Sequence, residues 1–203
     1  MVITDAALLK GRDPAGVCLA AVRGGATMVQ VRWKDAAPRD LLALTEALVR
    51  ALPVPVIVND RADVALAAGA AGAHLGQDDL PPAAIRPLLP PGFLLGTSVG
   101  TPAEAGRALD WPVDYWSVGP CFATLNKPDA GPALGASGFS AVRRLAPAGL
   151  PVIGIGGITE ENAAAILAAG ADGVAVIGAV LGARDPESAA RGLTRALRAR
   201  SSL

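Results

Sequence analysis

The chain has 203 residues, of which 52% are hydrophobic and only 3% aromatic, and its 18 basic and 18 acidic side chains cancel. That length suits one domain with a sizeable core of Ala, Val, Leu and Ile. Balanced charge removes the counterion-release argument for a nucleic-acid surface, and no apolar run approaches the roughly 18 residues of a membrane span.

The opening run, MVITDAALLKGRD, lacks a basic lead and is broken by Asp5, so a secretory leader is not expected. Apolar runs then predict strands at Val2–Thr4, Thr27–Arg32, Val54–Val58, Gly72–Leu75, Leu94–Ser98, Tyr115–Val118, Val152–Ile155 and Gly173–Ile177. Ala- and Leu-rich stretches between them predict helices near Ala15–Arg23, Arg39–Ala51, Ala62–Ala68, Ala83–Leu89, Ala103–Ala108, Ser140–Leu145, Glu160–Ala168 and Pro186–Ala199. Pro38, Pro82, Pro102 and Pro186 stand at helix starts, where a missing N–H does no harm.

About eight β-α units without a linker or composition break predict parallel strands covered by helices. The expected fold is α/β, a single-domain (β/α)8 TIM barrel spanning residues 1–203. A doubly wound open sheet is the alternative, but no G-x-G-x-x-G follows the first strand. One irregular piece, Gly119–Gly138, is long enough to suggest a functional loop. Cys18 and Cys121 form no disulfide framework and are read as reduced thiols of a cytoplasmic protein, with Cys121 buried.

The run VQVRWKD, 29–35, alternates Val29, Val31 and Trp33 with Gln30, Arg32 and Lys34. In a barrel the first set faces the helices and the second climbs the inner wall. Charges there are tolerable only at the open mouth, where a ligand meets them. The other strand ends match that reading. Strand three ends Asn59-Asp60-Arg61, strand four runs into Gln77-Asp78-Asp79, and strand five carries Ser98 and Thr101. Thr124, Asn126 and Lys127 follow strand six, GIGGI closes strand seven, and VIGA closes strand eight.

Arg32, Lys34 and Lys127 suffice for a pyrophosphate or two phosphates. Asp60 and Asp79 are hard oxygen ligands that suit Mg²⁺, which also takes substrate phosphate oxygens. The glycines of GIGGI and VIGA leave backbone N–H groups for a second phosphate. Each element also has a plainer reading. Asp60 caps the next helix, Asp78 and Asp79 are turn residues, Arg32 and Lys34 pair with Asp60, and GIGGI is tight packing. His74, the sole histidine, is read as a packed interior residue.

Together these motifs resemble the thiamine phosphate synthase family, nearly end to end from VITD to VAVIGA. The matching motifs are Gln30-x-Arg32-x-Lys34, Asn59-Asp60-Arg61, the His74–Asp79 segment, the Gly-Pro-x-Phe loop, Ile-Gly-Gly-Ile and Ala-Asp-Gly-Val-Ala-Val. The resemblance implies coupling of a hydroxymethylpyrimidine diphosphate to a thiazole phosphate with release of pyrophosphate, by a dissociative route. It implies Mg²⁺ on Asp60 and Asp79, and the diphosphate on Arg32, Lys34, Asn59, Ser98 and Lys127, with Gln30 nearer the pyrimidine. Arg32, Lys34, Ser98 and Lys127 then carry the catalysis. Thr124, Gly157, Ile177 and Gly178 contact the thiazole phosphate, and Asn126 also binds substrate. The chain departs from the family pattern at Gly100, usually His, at Asn126, usually Thr, and at Gly178, commonly Ser. A thiazole tautomerase-like isomerase and a non-catalytic barrel that binds thiamine precursors are the alternatives. The expected partners are small phosphorylated molecules, with no nucleic acid and no membrane, and self-association to a homo-oligomer is left open.

Overall fold

The computed structural model describes residues 1–9, 11–124 and 131–198. Its eight strands are β1 (Val2–Ile3), β2 (Val29–Val31), β3 (Val56–Asn59), β4 (Gly72–Leu75), β5 (Leu94–Val99), β6 (Tyr115–Val118), β7 (Val152–Ile155) and β8 (Gly173–Ala175). All are parallel, and their order in space is their order in sequence. A bridge between Val2 and Val176 joins the two ends of the sheet, with the Ile3 N–H donating to the Val176 carbonyl at 2.9 Å. The chain is a single-domain (β/α)8 barrel of the TIM type, as the alternation of apolar runs predicts.

The helices are α1 (Ala6–Leu9), α2 (Pro14–Arg23), α3 (Pro38–Ala51), α4 (Ala62–Ala67), α5 (Pro82–Ile85), α6 (Pro102–Ala108), α7 (Gly135–Arg143), α8 (Ala163–Ala168), α9 (Gly178–Leu181) and α10 (Pro186–Arg198). A 3₁₀ turn, Arg86–Leu88, continues α5. Five helices open on proline, the first being α2 at Pro14. Single-turn α1 and α9 are too short to show a helical period, so the sequence does not announce them.

Two helix starts move by three residues or more, each for a tertiary reason. Helix α7 starts at Gly135 rather than Ser140 because Leu134 and Gly135 donate to the carbonyls of Pro120 and Cys121, both at 2.9 Å. Helix α8 starts at Ala163 rather than Glu160. There the Asn162 side chain accepts from Thr159 N–H and donates to the Gly157 carbonyl, both at 2.9 Å, which holds a turn in place of helix.

Outward-facing strand residues bury against the helices in two clusters. Val29, Val31, Val58, Leu75 and Leu95 meet Leu41 and Leu48 of α3 and Val64 of α4. Trp116, Val118, Val152 and Val174 meet Phe139 of α7, Ile166 of α8 and Leu193 of α10. At about 1.5–3 kcal/mol for each large side chain fully buried, these interlocked faces are the main source of stability.

The alternate residues turn into the barrel. Register aligns Ile3, Gln30 and Ile57 in one layer, and Asn59, His74, Gly96 and Tyr115 in a layer nearer the C-terminal mouth. Gly96 is required by its neighbour, because a Cβ there would stand 2.0 Å from Cζ of Tyr115. A floor of Ile3 and Ile57 with Gln30 between them, and a polar upper wall, thus follow from the period of two in each strand. Trp33 breaks the expected pattern. It lies beyond the end of β2, where the strand period no longer governs, and is 38% exposed instead of facing the helices.

Candidate functional site

At the C-terminal mouth a cavity of about 750 Å³ draws on every strand and most of the βα loops. Its wall on the β2–β5 side carries Gln30, Arg32, Lys34, Asn59, Asp60, Asp79 and Ser98. The opposite wall carries Thr124, Gly157, Ile177 and Gly178. Eleven of the thirteen site residues expected from the sequence therefore line one space. The other two, Asn126 and Lys127, lie outside the described residues.

Gln30 is buried in β2 and Arg32 is half-buried one step above it, while Lys34 is exposed at the rim. Arg32 is held from two sides. Its backbone N–H donates to Thr4 Oγ1 at 2.8 Å, and Thr4 Oγ1 donates to the Arg32 carbonyl at 3.0 Å. Its guanidinium Nη1 lies 3.2 Å from Asp5 Oδ2, each side chain being only 15% exposed. The structural pair of this cation is therefore Asp5, and not the Asp60 that the sequence suggested as an ion-pair partner. The same strand-end rule that selects Arg32 selects Asp5, the residue after VIT, but a two-residue β1 gives too weak a signal to apply it.

Asp60 adopts φ +65°, a left-handed conformation that short polar side chains tolerate best. Its N–H donates to the His74 carbonyl at 2.7 Å. Helix α4 begins at Ala62 with no side-chain cap bond, so the capping role considered for Asp60 is not what positions it. Asp79 Oδ2 accepts the Gly76 N–H at 2.6 Å, folding the β4–α5 loop so that the carboxylate faces the cavity. Among the described residues no three His, Cys, Asp or Glu side chains converge as a ready-made metal cage. Two carboxylates with room for water and ligand oxygens fit a hard, octahedral cation better than a thiophilic one.

Further polar groups that the strand-end pattern does not mark also line the cavity, among them Glu104 and Tyr115. Glu104 accepts the Gly100 N–H at 2.5 Å and lines the space beside it. The signal was present, because Thr101-x-x-Glu104 is a capping-box spacing, and Thr101 Oγ1 does accept the Glu104 N–H at 3.2 Å. Tyr115 reaches the cavity from β6 only because Gly96 leaves the space.

Opposite the charged wall the backbone itself is the surface. Gly157 has φ +62°, and a Cβ there would lie 2.4 Å from the Ala123 carbonyl oxygen. The loop after β6 is stitched to the end of β7, with Cys121 N–H donating to Ile155 O at 2.7 Å and Phe122 N–H to Gly156 O at 2.9 Å. GIGGI is thus tightly packed and also exposed to the cavity on its other side. The N–H groups of Gly178 and Ala179 precede the first bonded turn of α9, where Val180 and Leu181 donate to the Ile177 carbonyl, and they border the same space. Cys121 lies buried behind this wall, its thiol pushed up to about 11 by burial, so it is not a poised nucleophile.

A cavity with cations and carboxylates on one wall and free backbone donors on the other can hold two anionic groups at once. Comparison with known proteins gives a consistent picture. Residues 1–180 match the family model described as thiamine monophosphate synthase. The thiamine-phosphate synthase of Roseiflexus sp. (strain RS-1) is 49% identical over 195 residues, covering 95% of this chain and 82% of that one. The thiamine-phosphate synthase of Methanoculleus marisnigri is 47% identical over 196 residues, covering 95% and 92%. A solved thiamine phosphate pyrophosphorylase from Pyrococcus furiosus superposes with a TM-score of 0.85 at 33% identity, covering 98% of this chain and 94% of the other. Orotidine 5'-phosphate decarboxylase from Pyrococcus horikoshii shares the barrel, with a TM-score of 0.72 at 15% identity.

Proposed function

The chain belongs to the thiamine monophosphate synthase family, and from that premise we propose that it couples 4-amino-2-methyl-5-(diphosphooxymethyl)pyrimidine to a thiazole phosphate, forming thiamine phosphate and pyrophosphate. The observation that carries the reading is the two-walled cavity, with Arg32 and Lys34 beside Asp60 and Asp79 on one side and Gly157 and Gly178 on the other.

In this reading Arg32, Lys34, Asn59 and Ser98 hold the diphosphate, and Gln30 faces the pyrimidine. Lys127 and Asn126, which follow Thr124 in the sequence, extend the same substrate contacts. Asp60 and Asp79 are the residues that would hold Mg²⁺, which when bound supplies positive charge against the diphosphate oxygens. Thr124, Gly157, Ile177 and Gly178 seat the phosphate of the thiazole, bringing its ring nitrogen towards the pyrimidine methylene.

The chemistry needs a stabilised leaving group more than a base. The methylene C–O bond breaks with both electrons leaving on pyrophosphate, and Arg32, Lys34 and Ser98 stabilise the charge that develops there. The pyrimidine ring carries the resulting cation. The thiazole nitrogen then donates its lone pair to the methylene carbon, forming the C–N bond, and no proton has to be removed from either reacting atom.

The test is product formation from both purified substrates, with and without Mg²⁺. Thiamine phosphate and pyrophosphate should form in equal amounts and only with the metal. Isomerisation of a thiazole phosphate alone, or binding of both precursors without product, would overturn the proposal in favour of a tautomerase or a sensor.

A further inference from the structure

The reaction as described uses Ser98 but leaves unexplained the buried pair behind it. His74 Nδ1 lies 2.9 Å from Tyr115 Oη, and His74 Nε2 lies 3.0 Å from Ser98 Oγ. The two rings stack with centroids 5.6 Å apart. Tyr115 and His74 are buried, whereas Ser98 is half-buried and faces the cavity. We propose that Tyr115 and His74 form a directional hydrogen-bond relay, O–H to Nδ1 and then Nε2–H to Oγ, which fixes Ser98 as a donor towards an anionic ligand.

The direction follows from counting donors. A phenol has one O–H, a neutral imidazole one N–H and one lone pair, and a serine hydroxyl one O–H. Among the described residues the partner of the Tyr115 hydroxyl is His74. Were Nδ1 to carry the proton and donate to Tyr115, the phenolic O–H would be a buried donor with no other partner among the described residues. With the O–H donating instead, Nδ1 is the acceptor and the imidazole proton sits on Nε2. Burial raises the affinity of the Tyr115 phenol for its proton above the ordinary tyrosine value, so that donor is not lost near neutrality.

At Ser98 the consequence is chemical. An Oγ that accepts from Nε2–H keeps its own proton for the cavity, where it can bond a phosphate oxygen. The reverse tautomer would take that proton and turn lone pairs towards the anion. The relay is held in register from three directions: His74 O accepts from Asp60 N–H at 2.7 Å, the Gln77 amide donates to Ser98 O, and Gly96 gives Tyr115 its place. Tyr115 and His74 are therefore positioning residues, and Ser98 is the group that touches ligand. The ligand assigned, a diphosphate group, rests on the reading under Proposed function.

His74 is the only histidine in the chain, so its ring nitrogens give one unambiguous pair of signals. Long-range ¹H–¹⁵N correlation on the ligand-free, ¹⁵N-labelled protein should show an unprotonated Nδ1 and a protonated Nε2. The opposite tautomer, or a ring protonated at both nitrogens, overturns the relay. Tyr115→Phe, which keeps the ring, should release the tautomer into a mixture and weaken inorganic pyrophosphate binding roughly tenfold, as loss of one hydrogen bond to a charged group does. In a Ser98→Ala background the same change should cost little more, and His74→Gln should retain more affinity than His74→Ala because its amide can still donate. A Tyr115→Phe protein with a mixed tautomer and unchanged pyrophosphate affinity would also overturn the relay. Should the unaltered chain bind no pyrophosphate, only the diphosphate reading fails, because the tautomer is measured without ligand and still decides the relay.

Discussion

Arg32 meets Asp5 across the β1–β2 edge at 3.2 Å, with both side chains 15% exposed. The pair pins a long, flexible cation in the one direction that serves the cavity. Asp5→Asn should leave the fold intact but let the guanidinium wander. The Michaelis constant for the pyrimidine diphosphate should rise about 3- to 10-fold, with a smaller change in turnover, in line with a partly buried pair. Steady-state kinetics check this, and an unchanged constant would mean that Asp5 does not orient Arg32.

Asp60 and Asp79 approach the cavity by different backbone routes, which makes their variants informative together. Asp60→Asn keeps a residue that tolerates φ +65° while removing the charge. Asp79→Ala removes both the charge and the bond from Gly76 N–H. Either change should cut coupling activity by at least ~100-fold, and Asp60→Asn should move the Mg²⁺ dependence to higher concentration. Activity that survives Asp79→Ala unchanged would remove the metal assignment.

Gly157→Ala places a Cβ 2.4 Å from the Ala123 carbonyl and 2.8 Å from Phe122 Cβ, in a left-handed conformation. We expect a loss of about 2 kcal/mol or more in denaturant unfolding, from strain and overpacking combined. Among properly folded molecules the Michaelis constant for the thiazole phosphate should rise and that for the diphosphate should change little. Equal effects on both substrates would show that the two walls are not separate anion sites.

The buried thiols predict the alkaline limit of stability. Burial pushes Cys18 up to about 11, assisted by the nearby Asp13 charge, and burial pushes Cys121 up to about 11. An unfolded thiol gives up its proton near the ordinary value of 9.0, so between about 9 and about 11 the unfolded chain holds fewer protons than the native one. The thiols' contribution should therefore be complete below about pH 9 and fall as pH rises to about 11, by roughly 2–3 kcal/mol for each thiol. Denaturation midpoints across that range measure it. Replacing both cysteines by alanine should flatten the decline up to the region where Tyr115 begins to matter, and an equally steep decline would assign it elsewhere.

Much of this was legible because a period of two and a period of 3.6 are hard to confuse over whole strands and helices. Gln30, Arg32 and Lys34 alternate with buried valines, and that alone points them at the mouth. Trp33 departs from the alternation because the strand ends at Val31 and its rule ends with it. Asp5 went unnoticed because β1 is two residues long. The Tyr115–His74–Ser98 chain was beyond reach for another reason. It depends on Gly96 lying opposite Tyr115 in the register of β5 and β6, and lateral register is set by the assembled sheet rather than by any local run.

The closing bridge between Val2 and Val176 has a bearing on how the molecule becomes competent. It joins strands from opposite ends of the sequence through a two-residue β1, so the chain entropy it must overcome is the largest of any strand pairing while its ladder is among the shortest. That seam also separates the residues that carry Arg32 from those that carry Gly178. With the seam open, the end of β2 and the turn after β8 would lie near opposite edges of the sheet, and the two walls would no longer face each other across one cavity. The cavity is therefore a property of the closed ring, and the shortest ladder in the sheet is what completes it.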